Sequence, residues 1–122
     1  MTVGEVCWVE LVSTGGHAQK GRRPAIILQS QKISARIPTV LVVPLTSQLD
    51  ALRFPGTVLV EAGAENGLRR ASVALVFQLT AIDQRFLRDR LGIVSQTLVN
   101  EIFSALDELA GRTRFASVPG KE

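Results

Sequence analysis

Arg23, Thr46 and His17 are the residues of this sequence best suited to work on a phosphodiester. An Arg presents a planar, permanently charged fork to two phosphate oxygens, where a Lys gives only a point charge. The hydroxyl of a Thr can hold a non-bridging oxygen, and a His passes protons near neutral pH. None of these roles requires a metal or another cofactor. His17 and Arg23 both fall in "TGGHAQKGRRPAIIL", residues 14–28, where a Gly-rich basic loop runs through a Pro into an apolar segment. From Leu11 to Leu49 there is no Asp or Glu, whereas Lys20, Arg22, Arg23, Lys32, Arg36 and His17 all lie there. A segment of one sign this long sets up a positive field suited to phosphates or to an acidic partner. Taken alone, the same pattern also fits a solvated basic face.

Strand pairing is what can bring the Arg and the Thr together. Residues 23–30 and 39–46 read as an antiparallel pair joined by residues 31–38, and symmetric pairing sets Arg23 opposite Thr46. Directly opposed residues share a face, with Cβ atoms about 5 Å apart. A slip of one residue would put the two groups on opposite faces. The His17–Arg22 loop would hang above them.

The remaining elements follow from pattern. Val3 to Leu11 reads as a first strand, followed by a polar loop over 12–22. Pro24 opens the second strand, where a missing N–H is tolerated. "TVLVVPLT" (39–46) is a third strand, "FPGTVLVEA" (54–62) a fourth and "ASVALVFQLTAI" (71–82) a fifth, with "AENGLRR" as the turn before it. "RLGIV" (90–94) adds a short sixth. After Ser95, a good N-cap, Leu98, Ile102, Ala105 and Leu109 recur at helical spacing, Val99 and Leu106 widen the stripe, and Gly111 is placed to stop the helix. The expected architecture is mainly β: five or six short antiparallel strands closing into a small barrel, with one C-terminal amphipathic helix packed on it. Residues 1–111 make the single domain and 112–122 a flexible tail.

Composition narrows the function classes. At 122 residues with 46% hydrophobic and 20% charged residues, the chain fits one domain with a real core. No apolar stretch reaches the length of a membrane span and no signal peptide is visible, so a cytoplasmic protein is expected, with no membrane partner. Cys7 is the sole cysteine, which rules out an intrachain disulfide and a cysteine-based metal cluster. Inside "GEVCWVEL" it is expected to pack in a strand.

The ordered set "GEVCWVEL", "TGGHAQKGRRPAIILQS", "VVPLTS", "FPGTVLV", "GLRRASVALVFQLTAID" and "RLGIVSQTLVNEIFSALDELAG" resembles the MazF/PemK toxin family over roughly residues 3 to 111. The resemblance implies an SH3-like barrel with a C-terminal helix, usually a homodimer. It implies the toxin of a type II toxin–antitoxin system, a metal-independent endoribonuclease that cuts single-stranded mRNA at short sequences and is neutralised by a cognate antitoxin. By resemblance Arg23, the Arg before the Pro of the second strand, stabilises charge on the pentavalent phosphorus, and Thr46 of "PLT" holds the scissile phosphate. The RNA's own 2′-hydroxyl is then the nucleophile.

Two departures bear on proton transfer. The family often has Glu where this chain has Ala18, and many members carry an acidic residue where it has Phe77, just before Gln78. His17 is left as the neutral-pH base of the loop. Phe77 either faces the core within "VALVFQL" or offers a stacking surface to a splayed base. Lys20, Arg22, Ser47, Gln48 and Gln78 are candidate base or phosphate contacts, or rim residues with no specific role. Arg85, Arg88 and Arg90 read better as a solvated face with Asp83 and Asp89 than as part of a basic surface. Two rival readings share the fold. One is a non-enzymatic gyrase poison of the CcdB type, although this chain has no Trp after Trp8 and ends in "VPGKE". The other is an RNA-binding member that has lost cleavage, which Ala18 and Phe77 make credible.

Overall fold

The computed structural model describes residues 1–11 and 21–112. Within them, seven strands form one antiparallel sheet: β1 (Glu5–Leu11), β2 (Gly21–Ile27), β3 (Thr39–Thr46), β4 (Thr57–Val60), β5 (Ser72–Leu75), β6 (Thr80–Asp83) and β7 (Leu87–Ile93). Their order is β4-β5-β3-β2-β1-β7, with β6 also on β3. A one-turn helix, α1 (Gln31–Ser34), lies in the β2–β3 connection, and α2 (Gln96–Leu109) follows the last strand. His17, Ala18, Lys20 and most of the expected tail lie outside the described residues.

The β2–β3 register is the symmetric one: Ala25 pairs with Pro44, Ile26 with Val43 and Ile27 with Val42. Pro24, expected to open the strand, is instead the fourth residue of β2, because the strand starts at Gly21. It pairs with Trp8 of β1 and lies just outside the β3 ladder, where a missing N–H is tolerated. Two glutamines hold the connection. Buried Gln29 accepts from the Leu41 amide at 3.2 Å and donates to the Thr39 carbonyl at 2.8 Å. Gln84 donates to the carbonyls of Ser34 and Ile37 at 2.9 and 2.8 Å. A register slip would strand these amides among groups they could not satisfy.

The expected fifth strand, 71–82, is two strands. After five successive buried residues, Ser72 to Val76, the chain bends through a 3-10 segment, Val76–Gln78, and runs on in the same direction as β6. The Phe77 amide donates to the Gly56 carbonyl at 3.1 Å and anchors this corner. In this way one long strand, β3, is paired twice on the same side. Its start takes β6 (Thr39 with Asp83, Val42 with Thr80), and its end takes β5 (Leu45 with Ala74, Thr46 with Val73).

The sheet also does not close into a barrel, because β4 and β7 do not pair. β4 has only four residues. The opening is spanned by the 61–71 loop, whose Glu65 carbonyl accepts from the Ile93 amide at 2.9 Å, and by α2. The helix starts where expected, with the Ser95 hydroxyl accepting from the Leu98 amide at 3.1 Å, a cap worth about 1 kcal/mol. It buries Val99 and Ile102 in the core. Leu109, expected on the buried stripe, is instead 40% exposed, lying over Gly56 at the end of the helix.

Both faces of the central strands are covered. Val6, Ile26, Val43, Leu45 and Ile102 belong to one core cluster, while Cys7, Val9, Ala25, Ile27 and Val42 belong to a second. That explains apolar runs such as "AIIL" and "LVVPL" with no polar alternation. Each fully buried Val, Leu or Ile contributes roughly 1.5–3 kcal/mol. Cys7 packs in this second cluster as expected, and burial, reinforced by the Glu5 carboxylate, pushes its thiol pKa up. A neutral, buried thiol is no nucleophile.

Candidate nucleic-acid interface

At the open ends of β2 and β3 lies a cavity of about 870 Å³. Arg22, Arg23, Thr46, Ser47 and Gln48 line one side of it. Extending the β2–β3 register beyond Ala25 and Pro44 sets Arg23 across from Thr46, and both residues border the cavity. Arg23 shares its strand face with Ala25 and Ile27, which pack in the second core cluster. Its Nε is buried and has no hydrogen-bond partner, and Arg23 forms no ion pair among the described residues. A half-buried guanidinium with an orphaned donor is poised for an anion. The Thr46 hydroxyl accepts from the Gln48 amide at 3.2 Å. It therefore caps the strand end and keeps its own proton to donate. Arg22 is held at the rim, its guanidinium carbon 5.3 Å from the centre of the Trp8 ring.

The 61–71 loop also lines the cavity, through Gly67, Leu68, Arg69 and Arg70. The Asn66 side chain knits that loop: its Oδ1 accepts from the amides of Gly63 and Leu68 at 3.2 and 2.9 Å, and its Nδ2 donates to the Glu61 carbonyl at 2.9 Å. Gly67 has φ +73°, and a Cβ there would run into the Leu91 carbonyl. A Cβ on Gly92 would in turn strike the Glu65 carbonyl. The loop thus lies against β7 with no room for a side chain at either contact. Ser72, with Gln29 one of the two buried polar residues among those described, donates from its hydroxyl to the Arg70 carbonyl at 3.1 Å.

Past Thr46 and Gln48 a second cavity, about 530 Å³, continues the groove. Both residues border both cavities. Its walls are Ala51, Phe54, Leu75, Phe77 and Gln78, without a charged side chain. Phe77 is 40% exposed because the 3-10 corner turns Val76 inward and the next residue outward, so the core-facing placement is incorrect. Its ring meets that of Phe54 with centroids 5.7 Å apart and planes tilted by 57°. The Arg53 guanidinium stacks on the other ring of the pair, 4.4 Å from the Phe54 centroid.

Arg22, Arg23, Thr46, Ser47, Gln48, Phe77 and Gln78 thus border one continuous groove, and among the described residues no Asp or Glu lines either of its cavities. His17 and Lys20 fall outside the described residues. Trp8, Phe54, Arg69 and Arg70 were not singled out by sequence reasoning. The signal for the last two was present in "NGLRR", a turn followed by two adjacent cations. Arg85, Arg88 and Arg90 lie elsewhere, paired with Asp83, Glu10 and Glu5 at 3.6, 3.2 and 2.6 Å.

Comparison with known proteins converges on one family. Residues 2–110 match the family described as PemK-like, MazF-like toxin of type II toxin-antitoxin system. The chain is 30% identical to the endoribonuclease MazF of Staphylococcus epidermidis over 112 residues, 92% of each chain. Its fold is similar to the crystal structure of MazF from Deinococcus radiodurans, with a TM-score of 0.78 and 25% identity, covering 91% of this chain and 96% of that one. It is also similar to a MazE–MazF crystal structure from the same organism, with a TM-score of 0.72 and 25% identity, covering 93% and 97% of the two chains. On a family match that spans nearly its whole length, the chain belongs to the PemK-like, MazF-like toxins of type II toxin–antitoxin systems.

Proposed function

We infer that the groove is an RNA-cutting site and that the chain acts as the toxin endoribonuclease of a type II system, on single-stranded RNA. The observation that carries this reading is the meeting of Arg23, with its unpartnered Nε, and Thr46 at one carboxylate-free cavity. In the reaction, the 2′-oxygen next to the scissile bond attacks phosphorus and loses its proton. The 2′-O–P bond forms as the P–O5′ bond breaks, leaving a cyclic phosphate and a protonated 5′-oxygen. Arg23 neutralises the charge that builds on the phosphoryl oxygens, and the Thr46 O–H holds a non-bridging oxygen. Such a site acts by positioning and electrostatics, so no covalent enzyme intermediate is needed. His17 takes part of the proton transfer in place of the carboxylates absent at Ala18 and Phe77. His17→Ala that cuts at the wild-type rate would discard that role.

Phe77, with Gln48 and Gln78 beside it, suits a splayed base: an aromatic surface to stack on and amides to read an edge. Arg22, Lys20 and Ser47 add contacts to the phosphate backbone. The partner expected to switch the toxin off is an antitoxin with an acidic, apolar segment that folds into the same basic groove. Two copies of the chain would line a longer groove as a homodimer. The carboxylate-free lining also favours one rival, an RNA binder that no longer cuts. Incubation with a long single-stranded RNA in EDTA separates the two. Discrete cuts abolished by Arg23→Ala support the nuclease, and binding without cuts supports the rival.

A further inference from the structure

We propose that Arg69 and Arg70 form a second phosphate station, taking a backbone phosphate adjacent to the scissile one held by Arg23 and Thr46. The proposal rests on the RNA-cutting reading of the groove and adds the path of the substrate through it. Arg69 and Arg70 border the same 870 Å³ cavity as Arg23 and Thr46, carried by a different segment of the chain. Among the described residues neither forms an ion pair and no Asp or Glu lines that cavity. Cations gathered around one cavity repel one another, and an anion bound in it relieves the repulsion.

The loop that carries the two arginines is built to hold them there. Asn66 ties three backbone groups, the Ile93 amide donates to Glu65, Gly67 and Gly92 allow contact with β7, and the Ser72 hydroxyl takes the Arg70 carbonyl. A backbone secured at this many points leaves only the exposed side chains of the two arginines to be ordered on binding. The aromatic cavity of Phe54 and Phe77 opens on the far side of Thr46 and Gln48. A strand crossing the groove would therefore place a base against the aromatic pair, the scissile phosphate at Arg23, and the neighbouring phosphate at Arg69 and Arg70.

The test uses a long single-stranded RNA methylated at its 2′-oxygens, which blocks the internal nucleophile, titrated with intact protein over a series of salt concentrations. The Arg69→Ala/Arg70→Ala double variant should bind about fivefold more weakly at 0.1 M salt, with a log–log salt slope shallower by about 0.7, the value for one phosphate contact on a single strand. Arg69→Lys/Arg70→Lys should restore the slope, since charge and not shape sets it. Unfolding melts of all variants check that the fold is kept. Wild-type cutting of unmodified RNA is followed in parallel. If the wild type cuts while the double Ala variant keeps wild-type affinity and slope, the second station is wrong and the nuclease reading stands. A wild type that neither cuts nor binds overturns both.

Discussion

Two sets of arginines on this small protein do opposite things. Along and just before β7, Arg85, Arg88 and Arg90 each meet a carboxylate, from Asp83, Glu10 and Glu5. Around the groove, Arg22, Arg23, Arg69 and Arg70 meet none among the described residues. The first set is neutralised within the fold and adds little field beyond it. The second leaves its charge for something outside the described chain, and Arg23 is half-buried with a donor unused. Net charge alone does not separate the two sets. A basic patch becomes an anion site where the fold withholds the counter-charge.

The sharpest way to break this contrast is to remove one arginine from each set. Arg23→Ala should lower the rate of cutting single-stranded RNA by about 10²–10³-fold, as expected for a lost transition-state donor, with little change in melting temperature. Arg90→Ala should cut RNA within about twofold of the wild-type rate, as suits a screened surface pair. Similar losses from the two variants would erase the distinction.

Gly92→Ala attacks the wall of the groove from behind. Its Cβ would strike the Glu65 carbonyl, so a loss of about 1–3 kcal/mol in denaturant unfolding is expected, together with weaker RNA binding as the loop carrying Arg69 and Arg70 shifts. Phe77→Ala should leave stability nearly unchanged but weaken RNA binding by about 1–3 kcal/mol, the worth of one base–aromatic stack, read by fluorescence titration.

The smallest effect belongs to the paired set and depends on pH. Burial raises the pKa of the Glu5 carboxyl, but the Thr2 amide, the Arg90 guanidinium and the N-terminal ammonium outweigh it and hold the pKa below its ordinary value. A carboxyl depressed in the folded state adds stability above its unfolded pKa, and that contribution is lost as pH falls through the folded value. Arg90→Ala should thus cost less than about 1 kcal/mol at neutral pH, and the difference from wild type should shrink in acid. Unfolding curves at neutral and acid pH measure it.

Much of the framework around the groove is legible in the sequence. Symmetric pairing of 23–30 with 39–46 matches the register that β2 and β3 adopt. Both faces of these strands are core, so the polar contacts of Gln29 and Gln84 in the connection, and not a choice of face, distinguish it from a slipped one. Ser95 and the helical stripe marked α2 to within a residue. The 71–82 segment was misread as one strand. Its unbroken apolar run carries no period, and the break at Phe77 depends on a hydrogen bond to Gly56, distant in sequence. The same corner turned Phe77 outward beside Phe54. Arg69 and Arg70 looked like ordinary turn cations, since nothing local says that their loop docks on Leu91 and Gly92.

The sequence by itself determined where most of the strands lie, though not the break between β5 and β6 or the starts of β2 and β7. It also determined where the helix begins and that a long stretch around Arg23 is free of acid, since propensity, capping and charge are local properties. Tertiary structure alone decided which cations keep their charge. It drew carboxylates to Arg88 and Arg90 across strands and brought Arg23, Thr46, Arg69 and Arg70 to one acid-free cavity. Pairing and desolvation depend on neighbours far away in the chain, and only the packed sheet supplies them.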